Sequence, residues 1–265
     1  MEFLPLLPQV EQLTQQVGTW LLEQRISPEA IETKSLNNFV TFVDKGAEEQ
    51  LVAVLSSLLP SSGFIAEEGT GSPVKDGYNW IIDPLDGTTN FLHQVPVFCI
   101  SIALHFQGEL LLGVIHDPNR NETFSCAKGH GATCNGNPIH VSTATSLADS
   151  LLATGFPYDD FGRQEQYLNL LGHITKNTRG VRRLGSAALD LAYVACGRCD
   201  LFYEYALNPW DVAAGILLVQ EAGGTVSDFQ NEDNALFGKD ILASNSGTHQ
   251  EMLQAIERFF PPALD

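Results

Sequence analysis

The chain begins with apolar positions at helical spacing and changes after about residue 63 to short apolar runs typical of strands. The periodicity predicts one helix from about Glu2 to Arg25 and a second that follows Asp44 and ends at Leu59-Pro60. Turns rich in Gly, Pro and Asn divide the strands that come next. These strands are predicted at Gly63–Ala66, Trp80–Ile82, Phe98–His105, Leu110–His116, Glu122–Ala127 and near His140–Val141.

After about Ser146 the predicted strands and helices alternate. Strands are predicted at Leu151–Thr154, Gly180–Leu184, Leu201–Tyr205, Gly224–Ser227 and Ile241–Ala243, and helices at Glu165–His173, Ser186–Ala195, Pro209–Ala222 and His249–Phe259. The first half therefore has the pattern of an α+β lobe and the second half that of an α/β lobe. We expect two lobes of one continuous unit, residues 1–145 and 146–265, with a cleft between them.

Composition narrows the class of protein. The 265 residues include 14 Lys plus Arg against 32 Asp plus Glu, a formal charge of −18, and 44% hydrophobic residues predict a globular chain. Such a net charge disfavours nucleic acid and anionic membrane surfaces as partners. No apolar run approaches the roughly 20 residues needed to span a bilayer, the N-terminus lacks a basic leader, and five Cys suit a reducing compartment. We expect a cytoplasmic protein.

The most informative segment is Trp80-Ile-Ile-Asp-Pro-Leu-Asp-Gly-Thr-Thr-Asn-Phe91. An apolar strand delivers Asp83, and Pro84 is expected to end that strand because it lacks a donor. Asp83 and Asp86 at the mouth of a strand would repel each other unless a cation lay between them. Gly87 allows backbone N–H groups to face an anion, and the residues after it suit a helix start. The segment predicts a metal site joined to a phosphate site, with a plain Asx-rich turn as the alternative.

A second acidic segment is Gly63-Phe-Ile-Ala-Glu-Glu-Gly69, in which an apolar strand ends at Glu67 and Glu68. Mg²⁺ takes oxygen ligands and keeps several waters, so a Glu on a neighbouring strand end could complete a magnesium site. By itself, a pair of Glu before a Gly favours a solvated loop over a metal site.

The third segment runs from Asn208 to Gly224 and has the pattern of a capped helix. Asn208 suits the N-cap, Pro209 the first helical position, and Gly223-Gly224 the helix end. Asp211 then falls in the first turn, where the helix dipole favours an ionised carboxylate. Capping alone would explain Asp211 without any function.

Together the three segments resemble the inositol monophosphatase family of Mg²⁺-dependent phosphatases. The first family signature, W-x-I-D-P-[LI]-D-G-T-[TS]-N-[FY], matches Trp80–Phe91, and the second, W-D-x-A-A-G…E-A-G-G, matches Trp210–Gly224. The family's acidic pair matches Ala66-Glu67-Glu68, and its V-T-x-x-D-x-x-x-E segment matches Val40 through Glu48. The resemblance extends from about Thr33 to Ala243.

The resemblance implies a two-metal centre. A first Mg²⁺ would be bound by Glu67, Asp83 and the backbone carbonyl of Leu85, and a second by Asp83, Asp86 and Asp211. Glu67 and Thr88 would activate the attacking water, with Asp44 close by. Glu68 would orient the water network or hold a third, weaker metal. Asn38 stands where the family usually has Asp, and Lys34 is one residue short of some members' spacing. These departures concern the third metal and the mobile loop near it, not the two-metal centre.

The same resemblance implies how substrate is bound. The N–H groups of Gly87 and Thr88 would hold phosphate oxygens. The family's sugar-contacting segment maps to Gly185-Ser186-Ala187-Ala188, and its selectivity carboxylate maps to Glu204. Asp86 and Asp211 complete the implied substrate-binding set. For Glu204 a solvated strand position is the alternative.

Electrostatics add an argument that does not depend on the resemblance. Four carboxylates converging on one pocket would repel a phosphate dianion, and two Mg²⁺ ions would offset them. The sequence has no dense Lys/Arg cluster that could hold phosphate instead. If the substrate is a phosphate ester, the site therefore requires metal.

The resemblance implies hydrolysis of myo-inositol monophosphate to inositol and phosphate, a layered α/β/α/β/α fold, a homodimer and inhibition by Li⁺. Two alternatives stay open: a broader sugar phosphatase that also cleaves fructose 1,6-bisphosphate, and a regulatory or interaction protein on the same fold. Cys196-Gly-Arg-Cys199 is a C-x-x-C sequence, but it lacks both a thioredoxin-like context and a second pair of Cys for zinc. We expect neither redox nor zinc chemistry there.

Overall fold

The structure, a computed structural model, describes residues 3–24, 32–35, 38–40, 42–157 and 160–261. Its α-helices are α1 (Leu7–Glu23), α2 (Phe42–Leu58), α3 (Thr88–Leu92), α4 (Gln164–Asn177), α5 (Ala187–Ala195), α6 (Pro209–Glu221) and α7 (His249–Phe259). Its strands are β1 (Glu32–Ser35), β2 (Asn38–Val40), β3 (Gly63–Ala66), β4 (Asn79–Asp86), β5 (Cys99–Phe106), β6 (Glu109–Asp117), β7 (Glu122–Ala127), β8 (Ala132–Cys134), β9 (Asn137–Ile139), β10 (Leu151–Thr154), β11 (Gly180–Arg182), β12 (Leu201–Tyr205), β13 (Thr225–Ser227) and β14 (Asp240–Ser244).

The strands form one large sheet from the first half of the chain and one from the second, besides the short β1–β2 pair. The seven-stranded sheet follows chain order from β3 to β9, and every pair in it is antiparallel except β3–β4. The five-stranded sheet has the order β11-β10-β12-β14-β13, with β10 parallel to both of its neighbours. The predicted change from consecutive strands in the first half to alternating strands and helices in the second half therefore corresponds to the two sheets.

Helices cover both sheets and fill the space between them, which gives five layers. Helices α1 and α2 pack on the outer face of the large sheet, α5 and α6 lie between the sheets, and α4 and α7 cover the smaller sheet. Strands such as β6 are apolar along almost their whole length because both faces of the sheet are buried. The layered α/β/α/β/α fold is confirmed, whereas the division of the chain at residue 145 stays a prediction.

Most predicted elements are present, with differences at their ends. Helix α1 begins at Leu7 after a short 3₁₀ turn, and the predicted limits Glu2 and Arg25 lie outside the described residues. The strand predicted near His140–Val141 is wrong. The chain instead forms β8 and β9, joined by Asn135 and Gly136, whose positive φ angles of 50° and 75° are those of a type I′ hairpin turn.

Pro84 does not end its strand, contrary to the prediction. Strand β4 continues to Asp86, and its pairing with β5 shifts register between Asp83 and Asp86. A bulge of this kind accommodates a residue that cannot donate to the ladder. As a result both aspartates stay on one strand.

None of the helices in the described ranges combines the length and the apolar character that crossing a membrane requires.

Candidate active site

A single pocket is lined by most of the residues that the sequence singled out. The candidate residues that line it are Glu67, Asp83, Leu85, Asp86, Gly87, Thr88, Gly185, Ser186, Ala187, Glu204 and Asp211. They come from the ends of β3, β4 and β12 and from the N-terminal ends of α3, α5 and α6. Asp44 on α2 is buried and reaches the site through Thr88, whose hydroxyl donates to Asp44 Oδ1 at 3.0 Å.

The end of β4 holds its two aspartates in different ways. Asp83 is 2% exposed, and its Oδ1 accepts a hydrogen bond from the backbone N–H of Leu85 at 2.9 Å. Asp86 Oδ2 accepts from the Ser186 hydroxyl at 2.7 Å and from the Ala188 N–H at 2.8 Å. Because Ser186 also caps α5, Asp86 joins the first signature to the start of that helix.

Gly87 allows the sharp turn from β4 into α3. Its φ of 98° lies in the left-handed region, and a Cβ there would lie 2.9 Å from the Val97 carbonyl oxygen. The predicted helix start at Thr88 is confirmed. The Thr88 hydroxyl lies 3.1 Å from the Leu85 carbonyl oxygen and 3.0 Å from Asp44 Oδ1, so its one proton is donated to one of these two acceptors.

Asp211 has the capping role that the sequence suggested. Asn208 is the N-cap of α6 with Pro209 after it, and Asp211 Oδ2 accepts from the Asn208 N–H at 2.7 Å in a full capping box. The same carboxylate lines the pocket and interacts electrostatically with Asp83 at the end of β4. Asp211 therefore both caps α6 and lines the candidate site.

Glu67 follows β3, and a buried glutamate on α2 holds the loop that continues from it. Glu48 Oε2 accepts from the Glu68 N–H and its Oε1 from the Thr70 N–H, both at 2.8 Å. The Glu67 N–H in turn donates to the Ile82 carbonyl of β4 at 3.2 Å. The family pattern that ends at Glu48 thus positions the acidic loop from a distance of about twenty residues.

Glu204 is not a solvated strand residue, since only 6% of it is exposed. It lies on β12 against Gly155, where an added Cβ would collide with both carboxylate oxygens. The Tyr167 hydroxyl donates to the Gly155 carbonyl at 2.9 Å and holds that backbone in place. Burial raises the pKa of Glu204 to about 8, although Arg183 counteracts the shift.

The carboxyl groups at the end of β4 and on α6 repel one another. Burial, followed by the charges of Glu67, Asp86 and Asp211, raises the pKa of Asp83 well above its ordinary range. Burial and the charge of Asp86 do the same for Asp211. Burial raises the pKa of Asp86 to about 6 against the hydrogen bonds from Ser186 and Ala188.

This donor set fits Mg²⁺ because it offers only oxygen ligands and an uncompensated negative charge. Among the described residues, no three His, Cys, Asp or Glu side chains are already arranged to hold one metal ion. Asp83, Asp86 and Asp211 each accept a hydrogen bond from a backbone N–H group.

Several residues that shape the pocket were missed by the sequence argument. Arg183 and Asp190 line it, and Asn90 links its two sides, since the Asn90 amide donates to Val97 O at 2.8 Å and to Leu184 O at 2.9 Å. Asn90 was quoted as part of the signature without a role. The sequence could have indicated Asp190, because it lies four residues after Ser186 and therefore on the same face of the predicted helix, one turn further along.

The five cysteines are free thiols. Cys196 follows the end of α5, and Cys199 is 3% exposed. Burial raises the pKa of the Cys199 thiol to about 12, which disfavours the reactive thiolate. The expectation that the C-x-x-C sequence has neither a redox nor a zinc role stays a prediction.

Comparisons with known proteins agree with the site's pattern. The family model described as the inositol monophosphatase family matches residues 5–259. A relative called Nus factor SuhB from Pseudomonas aeruginosa is 44% identical over 246 residues, which is 91% of each chain. An inositol-1-monophosphatase from Synechocystis sp. is 46% identical over 220 residues, 83% of this chain and 77% of the relative.

The solved structures agree with the fold. The structure of inositol monophosphatase from Anabaena (Nostoc) sp. superposes with a TM-score of 0.86 at 39% identity and covers 98% of each chain.

Proposed function

The chain belongs to the inositol monophosphatase family, and we propose that it is a Mg²⁺-dependent phosphomonoesterase that hydrolyses myo-inositol monophosphate to inositol and phosphate. The observation that carries the proposal is the convergence of Glu67, Asp83, Asp86 and Asp211 on the pocket that Thr88 also lines. These carboxylates, with the Leu85 carbonyl, would hold two Mg²⁺ ions. A third, weaker ion near Asp44 and Glu68 is part of the same proposal.

Bound Mg²⁺ would supply a lowered pKa for water and a positive charge that offsets the carboxylates and the phosphate. Thr88 Oγ1 would accept a hydrogen bond from the attacking water, because its own proton is donated to Asp44 or to the Leu85 carbonyl. The Glu67 carboxylate, which also lines the pocket, would accept the second hydrogen bond from that water and take up its proton. The N–H groups of Gly87 and Thr88 would position the phosphate oxygens.

The alcohol half of the substrate would lie towards α5 and β12. Gly185, Ser186 and Ala187 line this half of the pocket together with the buried Glu204. A buried carboxyl group can accept hydrogen bonds from hydroxyls and pairs poorly with an apolar group. Glu204 therefore favours a polyol as the leaving alcohol.

The test is phosphate release from inositol 1-phosphate with and without millimolar Mg²⁺. We expect Mg²⁺-dependent turnover by the wild type and a loss of at least a hundredfold in Asp86→Asn, since that carboxylate would serve both metal and substrate. Asp233→Asn, which removes a carboxylate from an exposed position, is the matched control and should leave turnover unchanged. No turnover of this or other phosphate esters would overturn the proposal, and comparable turnover of fructose 1,6-bisphosphate would favour the broader sugar phosphatase.

The names of relatives such as the Pseudomonas aeruginosa protein support a second candidate, a Nus factor. Expression of this chain in a strain that lacks its own SuhB would test it. Rescue by both the wild type and Asp86→Asn would support a binding role independent of catalysis, and failure of both would count against that role. The expected absence of a nucleic-acid partner stays a prediction.

The homodimer, the inhibition by Li⁺ and the cytoplasmic location are proposals carried over from the sequence. Sedimentation velocity, a Li⁺ titration of the phosphatase assay and cell fractionation test them in turn.

A further inference from the structure

Asp190 is a buried carboxyl group in the pocket that the proposed chemistry does not use. It lies on α5, one turn after Ser186, and is 1% exposed. Its Oδ1 has no hydrogen-bond partner in the structure. Leaving a buried carboxylate oxygen unpaired destabilises a folded protein, so a partner for this atom is to be expected in the functional state.

The position of Asp190 sets it apart from the other buried polar atoms without a partner in the described residues. Those atoms belong to Trp80, His105, Asn119 and Tyr203, and none of these residues lines the pocket. Asp190 does line it, one turn after Ser186 on α5 and within electrostatic reach of Arg183 and Glu204. This is the half in which the alcohol part of a substrate would lie.

The charges around Asp190 indicate what kind of group would bind there. Glu204 and Asp86 interact with it electrostatically as like charges, and Arg183 as the opposite charge. A second anion such as phosphate would therefore be repelled, and an apolar group would leave Oδ1 unpaired. A hydroxyl group satisfies the oxygen and adds no charge.

Resting on the proposed function, we propose that Asp190 Oδ1 accepts a hydrogen bond from a substrate hydroxyl other than the one bound by Glu204. Asp190 is thus a substrate-binding residue for the alcohol half of the substrate. The pair selects phosphate esters of polyols over esters of simple alcohols, because each carboxyl group is left without a partner when its hydroxyl is missing.

The test is steady-state kinetics of Asp190→Asn in Mg²⁺ with two substrates, inositol 1-phosphate and phenyl phosphate. We expect KM for inositol 1-phosphate to rise on the order of tenfold or more with little change in kcat. The kinetics with phenyl phosphate, which has no hydroxyl on its alcohol part, should stay unchanged. A merely structural role would alter both substrates alike and would overturn the inference.

Deoxy analogues of inositol 1-phosphate identify the hydroxyl. For one analogue, the wild type should lose as much kcat/KM as Asp190→Asn loses with inositol 1-phosphate. Asp190→Asn should then lose no further kcat/KM with that analogue, as in a double-mutant cycle. Additive losses for every analogue would overturn the inference. Asp190→Ser, which adds no bulk, serves if Asp190→Asn does not fold. No turnover of polyol phosphates by the wild type would overturn both proposals, whereas an active wild type and an unaltered variant would overturn this one alone.

Discussion

Replacing Glu204 by Gln should change how the stability of the metal-free protein depends on pH. Gln has nearly the shape of a protonated Glu and keeps a donor and an acceptor, but it does not titrate. The wild-type carboxyl group is buried beside Gly155, and burial raises its pKa from 4.5 to about 8. The substitution removes this titration and leaves the packing in place.

The sign follows from proton linkage. Below pH 4.5 the carboxyl of Glu204 is protonated in both the folded and the unfolded chain, so it has no effect on pH dependence. Between pH 4.5 and about 8 the unfolded chain releases the proton and the folded chain keeps it, so stability falls as pH rises. Above about 8 both states are ionised and the loss is complete.

Between pH 5 and 8, titration of Glu204 should lower the free energy of unfolding of the wild type by about 3 to 4 kcal/mol. This follows from about 1.4 kcal/mol for each unit of pKa difference between the folded and the unfolded chain. Urea denaturation in EDTA at pH 5, 6, 7, 8 and 9 measures it. From pH 5 to 8, we expect the difference in the free energy of unfolding, Glu204→Gln minus wild type, to increase by this amount. Glu257→Gln, at an exposed position on α7, is the control and should run parallel to the wild type. If Glu204→Gln also runs parallel to the wild type, the assignment of a buried, neutral Glu204 is wrong.

Three further perturbations test other parts of the site. Gly155→Ala should destabilise the protein by about 1–3 kcal/mol and raise KM for the polyol ester, because the new Cβ collides with Glu204. The control Gly172→Ala in α4 has open space around the new Cβ and should be neutral or stabilising by up to about 1 kcal/mol. Thermal denaturation and steady-state kinetics measure both variants, and equal effects of the two substitutions would contradict the contact between Gly155 and Glu204. Glu48→Gln turns an amide donor towards one of the two backbone N–H groups that Glu48 now accepts from. We expect the free energy of unfolding to fall by about 1–3 kcal/mol and Mg²⁺ to bind more weakly, as measured by calorimetry. An unchanged Mg²⁺ affinity would show that Glu48 does not position the metal site. Cys199→Ala should leave the proposed phosphatase activity unchanged, and reductant should affect the variant and the wild type alike. A loss of activity in Cys199→Ala, or an effect of reductant on the wild type alone, would indicate a redox role.

Local patterns in the sequence predicted a large part of this molecule. The apolar spacing of α1 and α2, the start of α3 at Thr88 and the capping of α6 by Asn208 all involve residues a few positions apart. Interactions at such separations are determined by backbone geometry and hardly depend on the rest of the fold. The bulge at Pro84 was missed because whether a proline ends or kinks a strand depends on its neighbouring strand.

The candidate site divides in the same way. The residue types and spacing of the signatures placed Asp83, Asp86 and Asp211 in one acidic centre by family resemblance, and the electrostatic need for a cation followed from their charge alone. The sequence could not show that Glu204 is buried. Every residue of β12 is buried because both faces of the smaller sheet are covered, and that covering depends on how the layers pack.

The amino-acid sequence by itself determined which ligand atoms the site offers, because a carboxylate keeps its preference for hard cations wherever it lies. Only the tertiary structure decided the environment of each group. Asp86 meets Ser186 one hundred residues along the chain, Glu48 reaches the loop after Glu67, and Asp190 is buried with one oxygen unpaired in the pocket. Such contacts depend on how the layers pack, and burial and neighbouring charge, which set each pKa and hydrogen bond, exist only once that packing is complete.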